Sequence, residues 1–397
     1  MVNMIIDDLL DKGQMLFRKD DQEDVINERF KAILETTRYQ FEKCNFYRQF
    51  AKQKNFDPRR DLKSIADIHK IPYLTTANFK QRSGRPKEFL CVPESDILVW
   101  TKSSGTSGDP SIVGRDKTNI QRYFKMFDFV LEELCHLAHY NWSLFFQPAP
   151  VAKLTREDEV KVPQNHMGYI FNVANKLPLD QRIYALKFAD KEARKKGKIF
   201  EFDAETTYNF LNTVPSNKGI GWIGGSIPLM YMSIMKYYEN TGRTFEVGEK
   251  SCLVSGGGWK SFSGEAVIPE KFRADMKKML GIPETQILDV YSFTETDCVH
   301  AECDYHNKHL LPWQDVIVRD VETLEPVAIG EKGLINVINP IAYSYAGVSI
   351  LQDDIVRVPF DDTCPCGRKG KVIEVIGRAE GAEARGCGAQ LAEEVEN

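Results

Sequence analysis

Apolar side chains recur at every third or fourth position along the first part of the chain. The segment INERFKAILETTRYQFEKCNFYRQFAKQ shows this spacing most clearly. Such spacing places the apolar side chains on one face of a helix, which can then pack against a core. We therefore predict a helical region of the main domain over residues 1–90.

Short apolar runs separated by longer amphipathic segments dominate residues 91–310. The runs read DILVW, SLFFQPAP, IGWIGGS, SCLVSGGG and QILDVYS. Strand-like runs that alternate with helical patterns are typical of a layered α/β domain. This range is therefore predicted to form an α/β core.

After residue 310 the apolar runs become shorter and lie closer together. DVIVRDVETLEPVAIGEKGLINVINP and SILQDDIVRVPF read as short strands joined by tight turns, which predicts a β-rich subdomain over residues 311–380. Residues 381–397 are rich in Gly, Ala and Glu and have no apolar period. A flexible tail is the expectation for that composition at a chain end.

Charge and cysteine usage narrow the function classes. The 397 residues carry 52 basic and 57 acidic side chains, a net charge of −5, so no global positive field is available to recruit nucleic acid. Asp7 and Asp8 interrupt the N-terminal apolar stretch, and no run of about eighteen apolar residues follows. We expect a cytoplasmic protein without a membrane span, whose nine cysteines serve metal binding or thiol chemistry rather than disulfides.

The stretch TKSSGTSGDPSIVGRDK places small hydroxyl side chains and glycines directly behind a strand-like run. One interpretation is a flexible surface loop, because Ser and Gly clusters usually form loops. The other is a phosphate cradle, in which backbone N–H groups and hydroxyls surround a polyanion. The stretch is not a P-loop, since Gly108 is followed by Asp109 and Pro110.

Two further strand-like runs end in residues that suit a nucleotide. LVSGGGWK ends in three glycines, which allow a flat ring to lie against bare backbone, although a plain glycine turn explains the same pattern. QILDVYSFTETD places Tyr291, Thr294 and Glu295 behind its run. Ligands in open α/β sheets gather beyond the carboxyl ends of the strands, so these loops are predicted to share one crevice.

In this order, the motifs resemble the core motifs of the adenylate-forming superfamily of acyl- and aryl-CoA synthetases, including its phenylacetate–CoA ligase branch. The resemblance covers about residues 40–380. It implies the α/β N-terminal-domain fold of these enzymes, with layered sheets and a small β-rich subdomain. It also implies that ATP activates a carboxylate to an acyl-adenylate. The motif residues are Ser103, Ser104, Gly105, Thr106, Ser107, Gly108, Gly256, Gly257, Gly258, Tyr291, Ser292, Thr294, Glu295, Asp354 and Arg378.

The same resemblance implies a division of roles around Mg-ATP. The roles are phosphate binding by the Ser103–Gly108 loop, adenine binding by Gly256–Gly258 and Tyr291, α-phosphate contact by Thr294, Mg²⁺ binding by Glu295 and ribose binding by Asp354. The chemistry agrees with these residue types. Attack of a carboxylate on the α-phosphorus joins two anions, so a metal ion and N–H donors must neutralise the charge that develops.

Ordinary members of the superfamily continue beyond the Gly377–Arg378 hinge into a mobile C-terminal domain, most of which we expect this chain to lack. Its tail instead carries Cys387 between two glycines, near Arg385. This combination resembles the LuxE-type acyl-protein synthetases of bacterial bioluminescence. The resemblance implies that Cys387 takes the acyl group as a thioester and passes it to a partner acyl reductase, and flexible neighbours and a nearby arginine suit that task. The competing interpretation is an incidental cysteine in a tail.

A second cluster of candidate ligands lies near the end of the chain. Cys364 and Cys366, in the sequence CPCG, suit a tight turn whose two thiolates face one metal ion. Pairing them with Cys303 and His309 would give a structural Cys₃His zinc site, and phenylacetate–CoA-ligase-like proteins have a similar arrangement. Free thiols remain the alternative, because the spacing is not that of a standard zinc finger.

The sequence therefore predicts an ATP-dependent acyl-protein synthetase that activates a fatty or related carboxylic acid. The alternative within the superfamily is an acid–CoA ligase, or a synthetase that loads a carrier protein. A degenerate ATP-binding subunit that only supports a partner is the non-enzymatic alternative. Presence of Glu295, Asp354 and Arg378 favours an enzyme.

Overall fold

The computed structural model shows a layered α/β architecture, which confirms the predicted fold class. The described residues are 3–103, 109–148, 164–165, 170, 176–178, 181–195, 200–214, 218–258 and 267–379. Its helices are α1 (Ile5–Arg18), α2 (Gln22–Lys43), α3 (Asn45–Gln53), α4 (Pro58–Asp61), α5 (Lys117–Glu133), α6 (Lys191–Lys195), α7 (Ala204–Thr213), α8 (Ile227–Thr241) and α9 (Pro269–Leu280). Among the described residues, no helix has the length and apolar character needed to cross a membrane.

The strands form three sheets. They are β1 (Leu74–Thr75), β2 (Ile97–Lys102), β3 (Ile112–Asp116), β4 (Trp142–Pro148), β5 (Gln164–Asn165), β6 (Arg182–Phe188), β7 (Phe200–Phe202), β8 (Gly221–Ser226), β9 (Cys252–Gly256), β10 (Ile287–Tyr291), β11 (His300–Ala301), β12 (Lys308–His309), β13 (Asp315–Arg319), β14 (Lys332–Ile338), β15 (Ser349–Arg357) and β16 (Val372–Arg378).

The central sheet has the strand order β11-β10-β9-β8-β4-β6-β7. Strands β10, β9, β8, β4 and β6 run parallel, and β11 and β7 are antiparallel edges. Every residue of β8 and β9 is buried, as expected for a parallel sheet with helices on both faces. The carboxyl ends of its strands consequently form one edge, where the loops predicted to bind a ligand begin.

Alternate side chains of the central strands enter two different cores. Phe145 of β4 and Trp222 of β8 pack on the side of α5. Their neighbours along the strands, Leu144 and Ile223, pack with residues of α8 and α9 on the other side. Because successive side chains of a strand point to opposite faces, the continuous apolar runs of the sequence supply both cores at once.

The second sheet contains the strands from Lys308 onward, together with β1. Its order is β12-β16-β15-β14-β13, with β1 pairing to β15, while β3-β2-β5 form a separate three-stranded sheet. Helix α2 packs on this β-rich part, since its Ile33 and Phe41 share a buried cluster with Ile335 and Ile350. The register of β15 against β16 sets Asp354 opposite Arg378.

The position of the Trp142 ring between the neighbouring strands β4 and β8 depends on a glycine. Gly221 lies opposite Trp142, and a Cβ atom at Gly221 would come within 1.9 Å of the Trp142 ring. That ring is buried and packs edge-on against Phe210. A side chain at position 221 would therefore displace the indole from the core.

Replacement Gly221→Ala should lower the free energy of unfolding by about 1–3 kcal/mol, because the added methyl group overpacks the sheet. Urea denaturation followed by tryptophan fluorescence measures the change. Gly377→Ala is the matched control, since a Cβ atom there meets nothing within 4 Å. Equal midpoints for the two variants would contradict this account of the packing.

Candidate active site

A glycine turn follows β9 at the carboxyl edge of the central sheet. Gly256 ends the strand, and Gly257 and Gly258 adopt left-handed φ angles of 88° and 58°. Residues with a Cβ atom rarely adopt such angles, so glycine is required for the chain to turn here. The turn leaves bare backbone at the edge of the sheet.

Three predicted site residues from three different strands contact one another. The Tyr291 hydroxyl donates a hydrogen bond of 2.8 Å to Oδ2 of Asp354. The Arg378 Nε group donates one of 3.1 Å to Oδ1 of the same carboxylate. Burial, followed by the charge of Asp354, raises the pKa of Tyr291, so the phenol remains a donor. Asp354 therefore connects the end of the central sheet to the β-rich sheet.

The histidine beside this trio is neutral. His300 stacks on Tyr291 with 6.1 Å between ring centroids, and it faces Oε1 of Gln314 at 3.0 Å through Nε2. Burial lowers the pKa of His300 to about 4. An uncharged imidazole thus supports one face of Tyr291 at neutral pH without adding a positive charge to the site.

Thr294 and Glu295 lie in the loop after β10, where both are buried with 4% exposure. The loop is held by Arg115 of β3, whose Nη2 donates to the Thr294 carbonyl oxygen at 2.7 Å. Arg115 also donates through Nε to Oδ1 of Asp297 at 2.8 Å, and both side chains are fully buried. Asp297 has a left-handed φ of 50°, so its backbone turns sharply just after Glu295.

The same arginine reaches the hairpin that carries the serine-rich loop. Arg115 Nη1 donates to the Thr101 hydroxyl of β2. Beyond Thr101, the Ser103 hydroxyl accepts a hydrogen bond of 2.8 Å from the Ser111 N–H group, which closes the base of the loop. Ser104 to Gly108 lie outside the described residues. Arg115 therefore brings two of the predicted ATP motifs against each other.

Asn119 extends this network to a third segment. Its amide nitrogen donates to Oδ2 of Asp297, and its Oδ1 accepts from the Tyr343 N–H group at 2.7 Å. The Ser344 hydroxyl, in turn, donates to the Gly114 carbonyl oxygen at 3.0 Å. Arg115, Asn119 and Asp297 were missed by motif reasoning. The sequence signal for Arg115 is a pair of charged residues, RD, at the end of an otherwise apolar strand.

The four predicted zinc ligands come together, as one group at the junction of two turns. The candidate ligand atoms of Cys303, His309, Cys364 and Cys366 all lie within 4.8 Å of one another. The Sγ atoms of Cys303 and Cys364 are 4.0 Å apart, and Cys366 Sγ is 3.4 Å from His309 Nε2. In a tetrahedral zinc site with Zn–S bonds of about 2.3 Å, neighbouring sulfurs are about 3.8 Å apart. The residues present therefore fit a zinc ion.

Backbone turns and a second layer of side chains hold this cluster. The Gly367 N–H group donates to the Cys364 carbonyl oxygen at 2.8 Å, and Gly367 has a φ of 84°. Asn307 donates to Cys364 Sγ at 3.3 Å. Hydrogen bonds from Cys303 and then His309 lower the pKa of Cys366, which favours the thiolate that a metal requires. Cys387, the predicted carrier thiol, lies outside the described residues.

Comparison with known proteins gives one family and one fold. The family model described as acyl-protein synthetase, LuxE, matches residues 1–396. The chain is similar to a long-chain-fatty-acid–luciferin-component ligase of Aliivibrio fischeri, with 24% identity over 371 residues that cover 92% of this chain and 88% of the relative. A ligase of the same name from Vibrio harveyi is 24% identical over 359 residues, covering 89% of this chain and 85% of the relative.

The structural comparison concerns the fold alone. A 2-hydroxyisobutyryl-CoA ligase, solved in an open conformation with 2-HIB-AMP and CoA, matches with a TM-score of 0.64 at 15% identity. The match covers 93% of this chain and 78% of that chain. The predicted adenylate-forming fold is thereby confirmed.

Loss of the Arg115 side chain should destabilise the whole site. Arg115→Met leaves the Asp297 carboxylate buried without its cation, which should lower the free energy of unfolding by about 3–5 kcal/mol. Asp297→Asn in the same chain should restore part of that loss, with a coupling energy of about 1–3 kcal/mol in urea denaturation.

The control is a surface ion pair between α5, the helix that follows β3, and α1. Lys125 and Asp11 are 2.6 Å apart with 46% and 63% of their side chains exposed. Lys125→Met should cost less than about 1 kcal/mol. Additive effects of Arg115→Met and Asp297→Asn would show that the buried pair does not act as a unit.

Proposed function

Because the chain belongs to the LuxE acyl-protein synthetase family, we propose that it activates a fatty acid with ATP and carries the acyl group as a thioester on Cys387. Family membership confirms the resemblance found in the sequence. The chain is an ATP-dependent, adenylate-forming ligase. The identity of the carrier thiol, the acceptor and the site roles below are proposals.

The first half-reaction is assigned to the crevice at the carboxyl edge of the central sheet. A carboxylate oxygen of the acid forms a bond to the α-phosphorus, and the bond to the β-phosphate breaks, so that pyrophosphate leaves. The observation that carries this proposal is the contact of Arg115 with both Thr101 and Thr294, since it joins the serine-rich hairpin to the Thr294–Glu295 loop. Motif residues far apart in the chain thereby reach one ligand.

The remaining nucleotide contacts follow from the same geometry. Asp354 would accept hydrogen bonds from the ribose hydroxyls, while Tyr291 and Arg378 hold its carboxylate in place. The Gly256–Gly258 turn would receive the adenine. Glu295 would hold Mg²⁺, for which a carboxylate oxygen is a suitable ligand. When bound, Mg²⁺ neutralises charge on the phosphates. Thr294 would contact the α-phosphate.

The second half-reaction is assigned to Cys387 in the tail. Its thiolate attacks the adenylate carbonyl carbon, a C–S bond forms, and the bond from carbon to the phosphate oxygen breaks with release of AMP. The thiol proton goes to solvent. Cys298, in the loop after β10, is a poorer nucleophile, because burial raises the pKa of its thiol. Burial also raises the pKa of Cys252, which lies at the opposite end of β9 from Gly256. A partner acyl reductase would then receive the acyl group on a thiol of its own by thioester exchange.

A CoA-dependent reaction is the competing proposal. In that case the thiol of CoA, rather than Cys387, would attack the adenylate. The likeness to a CoA ligase does not favour this route, because at 15% identity it concerns the fold alone. The two routes differ in whether an acyl group becomes attached to the protein.

Cys387→Ser should therefore separate the two half-reactions. Acid-dependent exchange of pyrophosphate into ATP should remain, because none of the residues assigned to adenylation belongs to the tail. Wild-type protein with Mg-ATP and fatty acid but no CoA should show a hydroxylamine-sensitive acyl adduct by intact-protein mass spectrometry. That adduct should be absent from Cys387→Ser, since a serine hydroxyl is almost never ionised.

Two variants serve as controls for this experiment. Cys298→Ser should keep both exchange and adduct, whereas Glu295→Gln should lose both, because the metal is then poorly held beside the triphosphate. A labile adduct that persists in Cys387→Ser and still supplies acyl groups to a reductase would exclude the tail as carrier. The CoA-ligase proposal would then be favoured.

We also propose that Cys303, His309, Cys364 and Cys366 hold one structural zinc ion. Four protein ligands leave no open position for a substrate, so the ion would stabilise the fold without taking part in catalysis. The cluster lies where α1, α5 and the β-rich sheet meet. Phe17 of α1 packs edge-on against His309 at 5.7 Å, and Arg368 binds Glu133 of α5 at 3.0 Å.

Purified protein should accordingly contain about one zinc per chain by elemental mass spectrometry. Joint replacement of Cys364 and Cys366 by Ser should remove the metal and lower the melting temperature. Joint replacement of Cys44 and Cys91, another pair of buried thiols, should leave the zinc content unchanged. Unchanged zinc in the first double variant would refute the site.

A further inference from the structure

Two buried polar side chains lie next to the glycine turn on neighbouring strands. The register of β8 against β9 pairs Ser226 with Gly256. The register of β4 against β8 ends at the pair Phe146 and Gly225, and Gln147 and Ser226 are the residues that follow in the two strands. With strands about 4.8 Å apart, Gln147 and Ser226 continue the row of Gly256 across the sheet for about 10 Å.

Neither side chain has a polar partner in the described part of the chain. Both Nε2 and Oε1 of Gln147 and the hydroxyl of Ser226 are buried without a hydrogen bond. The residues are only 5% and 7% exposed. A buried polar group that lacks a partner costs about 1–3 kcal/mol, so three such atoms at the ends of two neighbouring strands indicate groups that await a polar ligand.

Helix α8 begins at this position, and its first turn contains the N–H groups of Ile227 and Leu229, whereas Pro228 has none. Ser226 is its N-cap residue, yet its hydroxyl makes no capping hydrogen bond. The first N–H groups of a helix have no partner within the helix, and its N-terminus favours a negative charge. Gly225, just before, allows the close approach of β4, since a Cβ atom there would lie 2.7 Å from that of Phe146.

We propose that Ser226, Gln147 and the N-terminus of α8 bind the carboxylate head group of the fatty acid beside the adenylate site. The hydroxyl and the amide nitrogen each donate to one carboxylate oxygen, and the dipole of α8 stabilises its charge. The row from Gly256 to Gln147 would then hold nucleotide and acid side by side. The inference rests on the proposed function, because that function supplies the acid and assigns the nucleotide to Gly256.

Direct binding of two ligands that differ only in the head group tests this inference. Isothermal titration calorimetry with dodecanoate and with 1-dodecanol, in the absence of ATP, should show that wild-type protein prefers the carboxylate. Ser226→Ala and Gln147→Glu should each weaken dodecanoate binding by about tenfold to a hundredfold, since a hydrogen bond to a charged group is lost or a repulsive charge is added. The affinity for 1-dodecanol should change less than about threefold.

The matched control lies on the same helix. Ser233, two turns along α8, is also buried and has a hydroxyl without a partner among the described residues. Ser233→Ala should leave both affinities unchanged. The inference would be overturned if Ser226→Ala and Gln147→Glu lost equal affinity for the two ligands, or if their dodecanoate affinity were unchanged. A wild-type protein that binds both ligands equally well would overturn it too.

Failure of the proposed function gives a different result. If wild-type protein distinguishes dodecanoate from 1-dodecanol but exchanges no pyrophosphate with any acid, the head-group site stands and the ligase proposal falls. If exchange is normal and neither variant changes dodecanoate binding, the ligase proposal stands and the head-group site falls.

Discussion

The buried ion pair between Arg115 and Asp297 is the contact on which the geometry of the site depends. Its two residues are 182 positions apart in the chain, and neither side chain is exposed. A guanidinium has five N–H donors in a rigid plane, so a single arginine can bind Asp297, the Thr294 carbonyl oxygen and the Thr101 hydroxyl together. All three groups are buried, so the segments that carry them meet at Arg115, and Asn119 adds a further hydrogen bond to Asp297.

The carboxyl edge of the central parallel sheet is where the Arg115–Asp297 pair holds its loops. Its strands require helices on both faces, which places every connecting loop at one end or the other. Loops that follow β9 and β10 thus emerge beside each other, and β15 reaches the same point through the contact of Asp354 with Tyr291. The parallel sheet therefore determines both how the apolar strands pack and where the polar loops lie.

The proposed metal site and the proposed nucleotide site use different residues of this molecule. The thiol and imidazole cluster joins the β-rich sheet to α1 and α5, and its four ligands would leave no room for a substrate. The crevice, by contrast, keeps polar atoms of Gln147 and Ser226 buried without a partner among the described residues. Unsatisfied polar atoms are tolerated where a ligand is to supply the missing hydrogen bonds.

The sequence by itself determined the α/β class, the identity of the motif residues and the pair of thiols in CPCG, because these depend on local periodicity and spacing. Strand register and long-range packing decided the rest. Cys303 meets Cys364 across 61 residues, and Asp354 faces Arg378 through the pairing of β15 with β16. Arg115, Asn119 and Asp297 belong to no local motif, and neither does the neighbourhood of Gln147 and Ser226. Their roles arise only when strands distant in sequence are aligned, since a hydrogen bond is specified by position in space and not by separation along the chain.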